Sequence, residues 1–252
     1  VKVHFVGAGP GEPELLTVRA HRLLAGCRIC IYAGSLVNPA VMELLPATSA
    51  RYDSAGMSLP EIVAVCADAL RDGIDVVRLH SGDPSIYGAV REQMNELDRL
   101  GIDYEVVPGV SSFQAAAAVL KTELTVPEAA QSIILTRAAG RTPVPPEQDL
   151  SLLARTRSTL CIFLSVGQIR EVAETLAREL DGDCPAAVVY RATWPDQAVV
   201  RGTLADIARK TEEAKIGKTA MIVVGRALSR EAPVSKLYAP AFSHGFRDGE
   251  KA

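Results

Sequence analysis

A surplus of positive charge is missing from this 252-residue sequence: 27 Lys and Arg stand against 30 Asp and Glu, a formal net charge of −3. That excludes nucleic-acid binding through bulk positive charge, though not through a local basic groove. Long apolar runs are missing too. None nears the ~20 residues of a membrane span, and no charged start leads into an apolar signal core. A soluble, cytoplasmic protein with no membrane partner is expected. Cysteines are few, odd in number and scattered: Cys27, Cys30, Cys66, Cys161 and Cys184. They form no disulfide framework and fit a reducing compartment. Cys27 and Cys30 have C-x-x-C spacing, but no second pair completes a zinc set. Their neighbours Ile29, Ile31 and Tyr32 read as strand, which puts the two thiols on opposite faces. Buried thiols are expected. His4, His21, His80 and His244 are the only histidines and lack metal-ligand spacing, so no metal is expected.

What is present is ordinary globular material. Apolar residues make 48% and charged residues 23%, enough to bury a core without staples. The length suits one large domain or two small ones. There is no internal repeat. The first half alternates strands (2–6, 28–32, 75–80, 104–107) with helices (18–25, 61–71, a loop-led helix reaching about 100, and 112–120). Residues 34–45 read as a loop and short helix. In 61–71, Ile62, Val65, Cys66 and Ala69 follow helical spacing. Such alternation predicts a mostly parallel sheet covered on both faces. Residues 121–131 read as a linker. Beyond it come strands 132–135 and 159–164 around a Pro-rich loop, and a helix at 168–179. A hairpin of 186–190 and 197–201 follows, then a helix at 204–214 and a strand at 220–224. The fold class is therefore α/β in two domains: a mostly parallel N-terminal domain, 1–120, and a mixed C-terminal domain, 132–240. Residues 241–252 read as a flexible tail.

Three glycine-containing loops each follow a strand of the first domain. Gly7-Ala8-Gly9-Pro10-Gly11 resembles a dinucleotide loop only superficially. The last fingerprint glycine would be position 12, which is Glu12, and no acid ends the second strand. Pro10 has no N–H to offer a phosphate. In Ser81-Gly82-Asp83-Pro84, Asp83 reads as a helix N-cap and Pro84 as the first helical residue. Pro108-Gly109-Val110-Ser111-Ser112 has the same placement, with Ser111 as cap. Each loop alone is merely a tight turn. Together, after parallel strands, they line one edge with backbone amides, carbonyls and hydroxyls, where open α/β sheets bind ligands.

In this order and spacing, the three loops resemble the tetrapyrrole methylase family over nearly the whole chain. Residues 32–37 (Tyr-Ala-Gly-Ser-Leu-Val), 52–57 (Tyr-Asp-Ser-Ala-Gly-Met) and 135–143 (Leu-Thr-Arg-Ala-Ala-Gly-Arg-Thr-Pro) are similar to its precorrin-4 C11-methylating branch. The resemblance implies two α/β domains, usually a homodimer, with S-adenosylmethionine held between domains and S-adenosylhomocysteine as product. It implies cofactor contacts at Pro10, Ser81, Gly82, Asp83, Ile86, Ser111 and Ser112, and in the second half at Leu164, Ala192, Thr219 and Ala220. Leu164 departs from a common Met, and Ala192 from a common Gly. Uroporphyrinogen-methylating relatives carry Asp directly after the second-strand Tyr; here that residue is Ala33. No catalytic base is thereby inherited. Asp53 is nearby and also reads as a plain turn carboxylate.

The implied reaction adds a methyl to C11 of precorrin-4 to form precorrin-5 in cobalamin synthesis. The cobalt-containing form of the same substrate is an open alternative, and so is another substrate of the same fold, such as RNA, although the charge and the precorrin-like loops weigh against RNA. A substrate ringed with acetate and propionate calls for local Arg, whose planar fork fits carboxylates. Arg51, Arg78, Arg91, Arg137, Arg141 and Arg191 sit in or near loops or strand ends. Arg137 and Arg141 are the preferred substrate-binding pair. His80 ends a strand beside Ser81 and reads as a satisfied core histidine.

Overall fold

Apolar strands that alternate between two covered faces build the first sheet. In the computed structural model, which describes residues 1–140, 142–229, 237, 239–240, 242–243 and 245–248, these are Val3–Gly7 (β1), Ile29–Tyr32 (β2), Ala50–Asp53 (β3), Val76–His80 (β4) and Tyr104–Val107 (β5). All pair parallel, in the order β3-β2-β4-β1-β5. Val3, Phe5, Ile31 and Val76 face one side, with Ile62, Cys66 and Ala69 of Leu59–Arg71 (α3) and Leu97 of Arg91–Arg99 (α4). Val6, Cys30, Val77 and Leu79 face the other, with Ala20 and Leu24 of Val18–Ala25 (α1) and Val41 and Met42 of Pro39–Met42 (α2). Both faces are covered over β1 and β4, as the centre of a parallel sheet requires.

Local chemistry sets the helix ends. Thr17 Oγ1 accepts from Ala20 N–H at 3.1 Å and opens α1. Glu61 Oε2 accepts from Ser58 N–H at 2.7 Å and opens α3. The loop-led helix expected from residue 84 starts later, at Arg91. Tyr87 (φ 53°) and Ala89 (φ 50°) lie in the left-handed region, which a right-handed helix cannot contain. Asp83 and Pro84 therefore open a turn instead of α4. β3 went unpredicted because all four of its residues are exposed and carry no alternating pattern.

The second sheet consists of Ile133–Arg137 (β6), Thr159–Phe163 (β7), Pro185–Tyr190 (β8), Ala198–Thr203 (β9) and Ala220–Val224 (β10), in the order β6-β7-β10-β8-β9. β6 and β7 are parallel and every other pair is antiparallel, so this sheet is mixed. Leu150–Ala154 (α6), Ile169–Leu180 (α7) and Ile207–Glu213 (α8) bury Ala154, Leu176 and Ile207 against Leu160, Ile162, Val188 and Ile222. Ser112–Leu120 (α5) ends just inside this half.

The chain divides into two units, residues 1–115 with Arg191–Gln197, and residues 116–190 with 198–252. The tip of the β8–β9 hairpin thus groups with the first unit. Residues 121–131 are tied to the second: Thr159 Oγ1 donates to Leu124 O at 2.7 Å, and Thr122 Oγ1 to Ala227 O at 3.0 Å. Of the expected flexible tail, residues 241, 244 and 249–252 lie outside the described residues; in the described part Arg247 donates to Leu237 O and Ala239 O, each at 2.9 Å. Among the described residues, no helix is long and apolar enough to cross a membrane, and no group of three or more His, Cys, Asp or Glu could hold a metal.

Candidate active site

The carboxyl ends of β1, β4 and β5 are neighbours because β1 lies between the other two. Their loops interlock through glycine. A Cβ on Gly7 would stand 2.6 Å from Gly82 O and 2.7 Å from Gly109 N. A Cβ on Gly109 would stand 2.2 Å from Gly82 O. Only bare backbone permits this approach. Gly82 N–H donates to Gly9 O at 2.8 Å, and Gly9 N–H to Gly82 O at 3.2 Å. Asp83 ties the third loop in: one carboxylate oxygen accepts from Gly109 N–H at 2.9 Å, the other from Ser85 N–H at 2.8 Å. Burial opposes the charge of Asp83, but hydrogen bonds from Ser85 and Gly109 outweigh it and hold the carboxyl below its ordinary value.

Ser81 is exposed on this framework, Ile86 half-buried and Ser111 buried. Ser112 is the first residue of α5. Pro10, Ser81, Gly82, Asp83, Ile86, Ser111 and Ser112 all belong to the first unit, on its three loops. The first loop does not open a helix directly, because a single turn at Pro13–Leu15 precedes α1. That removes the helix N-terminus on which a dinucleotide pyrophosphate would rest.

The tip of the hairpin adds a part that no sequence motif announced. Trp194 Nε1–H donates to Pro10 O at 2.9 Å, and Thr193 Oγ1 accepts from Glu12 N–H at 3.0 Å. A Cβ on Gly11 would fall 2.2 Å from the Trp194 ring. The Arg191 guanidinium lies 4.8 Å from the indole centroid and donates to Asp196 at 2.7 Å. Ala192 is buried between them in sequence. The available signal was composition: this is the sole tryptophan, placed in a hairpin turn.

Beside the tip, still within the first unit, is a cavity of about 610 Å³. Tyr32, Val37, Met42, Arg51, Asp53 and Trp194 are among its walls. Asp53 accepts from Ala55 N–H at 2.9 Å, which is the turn-carboxylate role. It also lines the cavity.

In the second unit, Leu164, Thr219 and Ala220 gather at one end of the sheet. β7 and β10 are antiparallel, so the end of β7, which Leu164 follows, and the start of β10, at Ala220, lie at the same end of the sheet. Leu164 has φ 55° and is 73% exposed, and Thr219 also has φ 55°. A β-branched residue in that region is strained, and such strain gathers at functional sites.

The arginines separate clearly. Arg78 is interior, not a substrate contact: it is 5% exposed and donates to Gln93 Oε1 at 2.9 Å. Arg137 donates to the carbonyls of Thr142 at 2.9 Å and Pro143 at 2.7 Å, stapling its own loop. Arg141 lies outside the described residues. His80 is buried and its ring has a hydrogen bond with the Gly88 backbone, but its Nε2 has no partner among the described residues, so it is only in part the satisfied core histidine expected. Burial, then the nearby Arg78 charge, push its pKa down to about 3. Cys27 lies before β2 rather than on it, and all five thiols are free and buried.

Against known proteins, residues 2–208 match the tetrapyrrole (corrin/porphyrin) methylases. A cobalt-precorrin-4 C(11)-methyltransferase of Methanocaldococcus jannaschii is 48% identical, covering 99% of this chain and 97% of that one. A precorrin-4 C(11)-methyltransferase of Sinorhizobium sp. is 47% identical, covering 97% and 98%. Among solved structures, a cobalt-precorrin-4 methyltransferase superposes with TM-score 0.88 at 43% identity over 90% of this chain and 96% of that one. A uroporphyrin-III C-methyltransferase from Thermus thermophilus, complexed with S-adenosylhomocysteine, gives TM-score 0.77 at 31% identity over 90% and 99%.

Proposed function

The chain belongs to the tetrapyrrole methylases, and from that premise we propose that it transfers a methyl from S-adenosylmethionine to C11 of precorrin-4, giving precorrin-5 and S-adenosylhomocysteine in cobalamin synthesis. The observation that carries this is the convergence of the loops after β1, β4 and β5, the first of them bonded to Trp194, which lines an open cavity. The loops fit the cofactor's chemistry. They offer the Ser81, Ser111 and Ser112 hydroxyls, backbone donors and acceptors, and the apolar Ile86, which together suit a ribose, an amino-acid head and a flat base. Bound there, the cofactor supplies an electrophilic methyl on a sulfonium.

The protein's part is alignment and exclusion of water. The glycine interlock fixes the Pro10 and Ser81 loops against each other, and Asp83 fixes the third. Trp194 pins Pro10 from the outer side. Leu164, Ala192, Thr219 and Ala220 complete the cofactor contacts we propose. The strained backbone at Leu164 and Thr219 supports their inclusion. Arg137 and Arg141 are proposed for the substrate's carboxylates; Arg137 reaches them only by releasing its loop carbonyls. The enzyme is further proposed to work as a cytoplasmic homodimer, checked by light scattering.

The relatives include enzymes named for the metal-free and for the cobalt substrate. A turnover assay with precorrin-4, beside its cobalt complex, separates the two. One methyl added at C11 of the metal-free ring supports the proposal. Methylation of the cobalt complex alone moves the enzyme to the cobalt route. Methylation of neither refutes the substrate.

A further inference from the structure

The arginines of the first unit differ in what their guanidinium already holds. Arg78 is spent on Gln93 in the interior. Arg191 is held by Asp196 and the Trp194 face. Arg51 makes only a long 3.4 Å contact to Leu45 O and no ion pair among the described residues. An exposed arginine by itself means nothing. Arg51, however, is on the wall of the 610 Å³ cavity, a size usual for small-molecule sites.

The rest of that cavity is selective. Tyr32 and Trp194 give it aromatic walls and Met42 and Val37 an apolar lining, which suits the edge of a flat macrocycle. Asp53 lies two residues from Arg51 on the same strand, so both side chains leave β3 on one face. Glu43 also lines the cavity. Arg191 lines the cavity as well, but its guanidinium is committed to Asp196. The two acids repel a carboxylate along the rest of the wall and leave Arg51 as the cation that receives it, which fixes the orientation of an incoming anionic arm. We infer that Arg51 is the specificity-determining residue of this cavity, receiving one acetate or propionate arm of the tetrapyrrole as a forked ion pair. This rests on the proposed tetrapyrrole substrate and differs from the sequence's own choice of Arg137 and Arg141.

The test separates binding from turnover. Uroporphyrin, a stable macrocycle ringed with the same acids, is titrated while the fluorescence of the sole tryptophan, Trp194, is followed. Wild type, Arg51→Gln, Arg51→Lys and Arg137→Ala are compared, with S-adenosylhomocysteine affinity and thermal unfolding as controls. A charged hydrogen-bonded pair predicts about ten- to a hundredfold weaker porphyrin binding in Arg51→Gln. Arg51→Lys recovers part of the loss, and cofactor affinity and unfolding stay within error. In turnover, the same variant raises KM for the tetrapyrrole and leaves kcat nearly unchanged. Equal porphyrin affinity in wild type and Arg51→Gln overturns the inference, as does a wild type that binds no porphyrin. A wild type that binds porphyrin through Arg51 yet methylates neither precorrin-4 nor its cobalt complex refutes the proposed reaction and leaves this inference standing.

Discussion

Gly109→Ala isolates the glycine interlock. The added Cβ would sit 2.2 Å from Gly82 O and 2.9 Å from Gly7 Cα, both backbone atoms that no rotamer change can move aside. Carbon normally keeps ~3.5 Å from such neighbours, so the loops must part by ~1 Å. Parting them stretches the 3.2 Å bond from Gly9 N–H to Gly82 O and the 2.9 Å bond from Gly109 N–H to Asp83. Overpacking costs about 1–3 kcal/mol. A neutral hydrogen bond adds about 1 kcal/mol and one to a charged group about 2 kcal/mol. A total near 5 kcal/mol predicts a fall in Tm of roughly 10–20 °C for a chain of this size. A ~1 Å shift in a positioning loop also lowers methyl transfer about a hundredfold. Gly82→Ala is the contrast. Gly82 has φ 65° and its nearest neighbour to a new Cβ is 3.7 Å away. It has room but the wrong backbone conformation, which costs about 1–2 kcal/mol. Thermal unfolding and S-adenosylhomocysteine calorimetry read both variants. If Gly109→Ala unfolds at the wild-type temperature, or loses less than Gly82→Ala, the interlock is not what shapes these loops.

Other perturbations reach other parts of the site. Trp194→Phe keeps a ring over Gly11 but removes the donor to Pro10 O; a loss of about 1 kcal/mol predicts Tm lower by roughly 2–4 °C, and an unchanged Tm together with unchanged cofactor affinity counts against the pin. His80 has its pKa lowered to about 3 in the fold, against an ordinary value of 6.5. The unfolded chain therefore binds this proton first, and stability falls as pH drops below about 6.5, by about 1.4 kcal/mol per pH unit, levelling near pH 3. Urea titrations of His80→Gln across that window should show a shallower slope, and an identical slope refutes the assignment. Arg137→Ala removes bonds to Thr142 and Pro143 carbonyls. It is expected to lower Tm by a few degrees and to raise substrate KM; an unchanged KM counts against the proposed carboxylate contact.

Much of the molecule is written in its local pattern. Apolar strands with glycine loops after them give β1, β4 and β5, and helical spacing in Ile62, Val65, Cys66 and Ala69 gives α3. These signals are local, because burial on a parallel sheet demands apolar residues wherever the strand falls. β3 has no such demand. Its residues are exposed, and it is a strand only because β2 offers it an edge. The start of α4 was hidden likewise, since positive φ at Tyr87 and Ala89 is imposed by the turn and not by residue type.

The three glycine loops themselves were legible in the sequence, because turn chemistry acts within a few residues; that they gather was decided by the strand order, which sets β1 between β4 and β5. Tertiary structure decided which charges are available. In sequence Arg51, Arg78 and Arg191 look equivalent, and Arg137 is preferred for its place by the Pro-rich loop. In the fold Arg78 is interior, Arg137 staples its own loop, Arg191 is locked to Asp196 and Trp194, and Arg51 borders the cavity with a long 3.4 Å contact to Leu45 O and no ion pair among the described residues. A guanidinium's role depends on which carbonyls and carboxylates surround it, and those come from residues up to 47 positions away, as Ile31 O does for Arg78. Likewise Trp194 reaches Pro10 across 184 positions. Only chain packing brings such groups within the ~3 Å that a hydrogen bond requires.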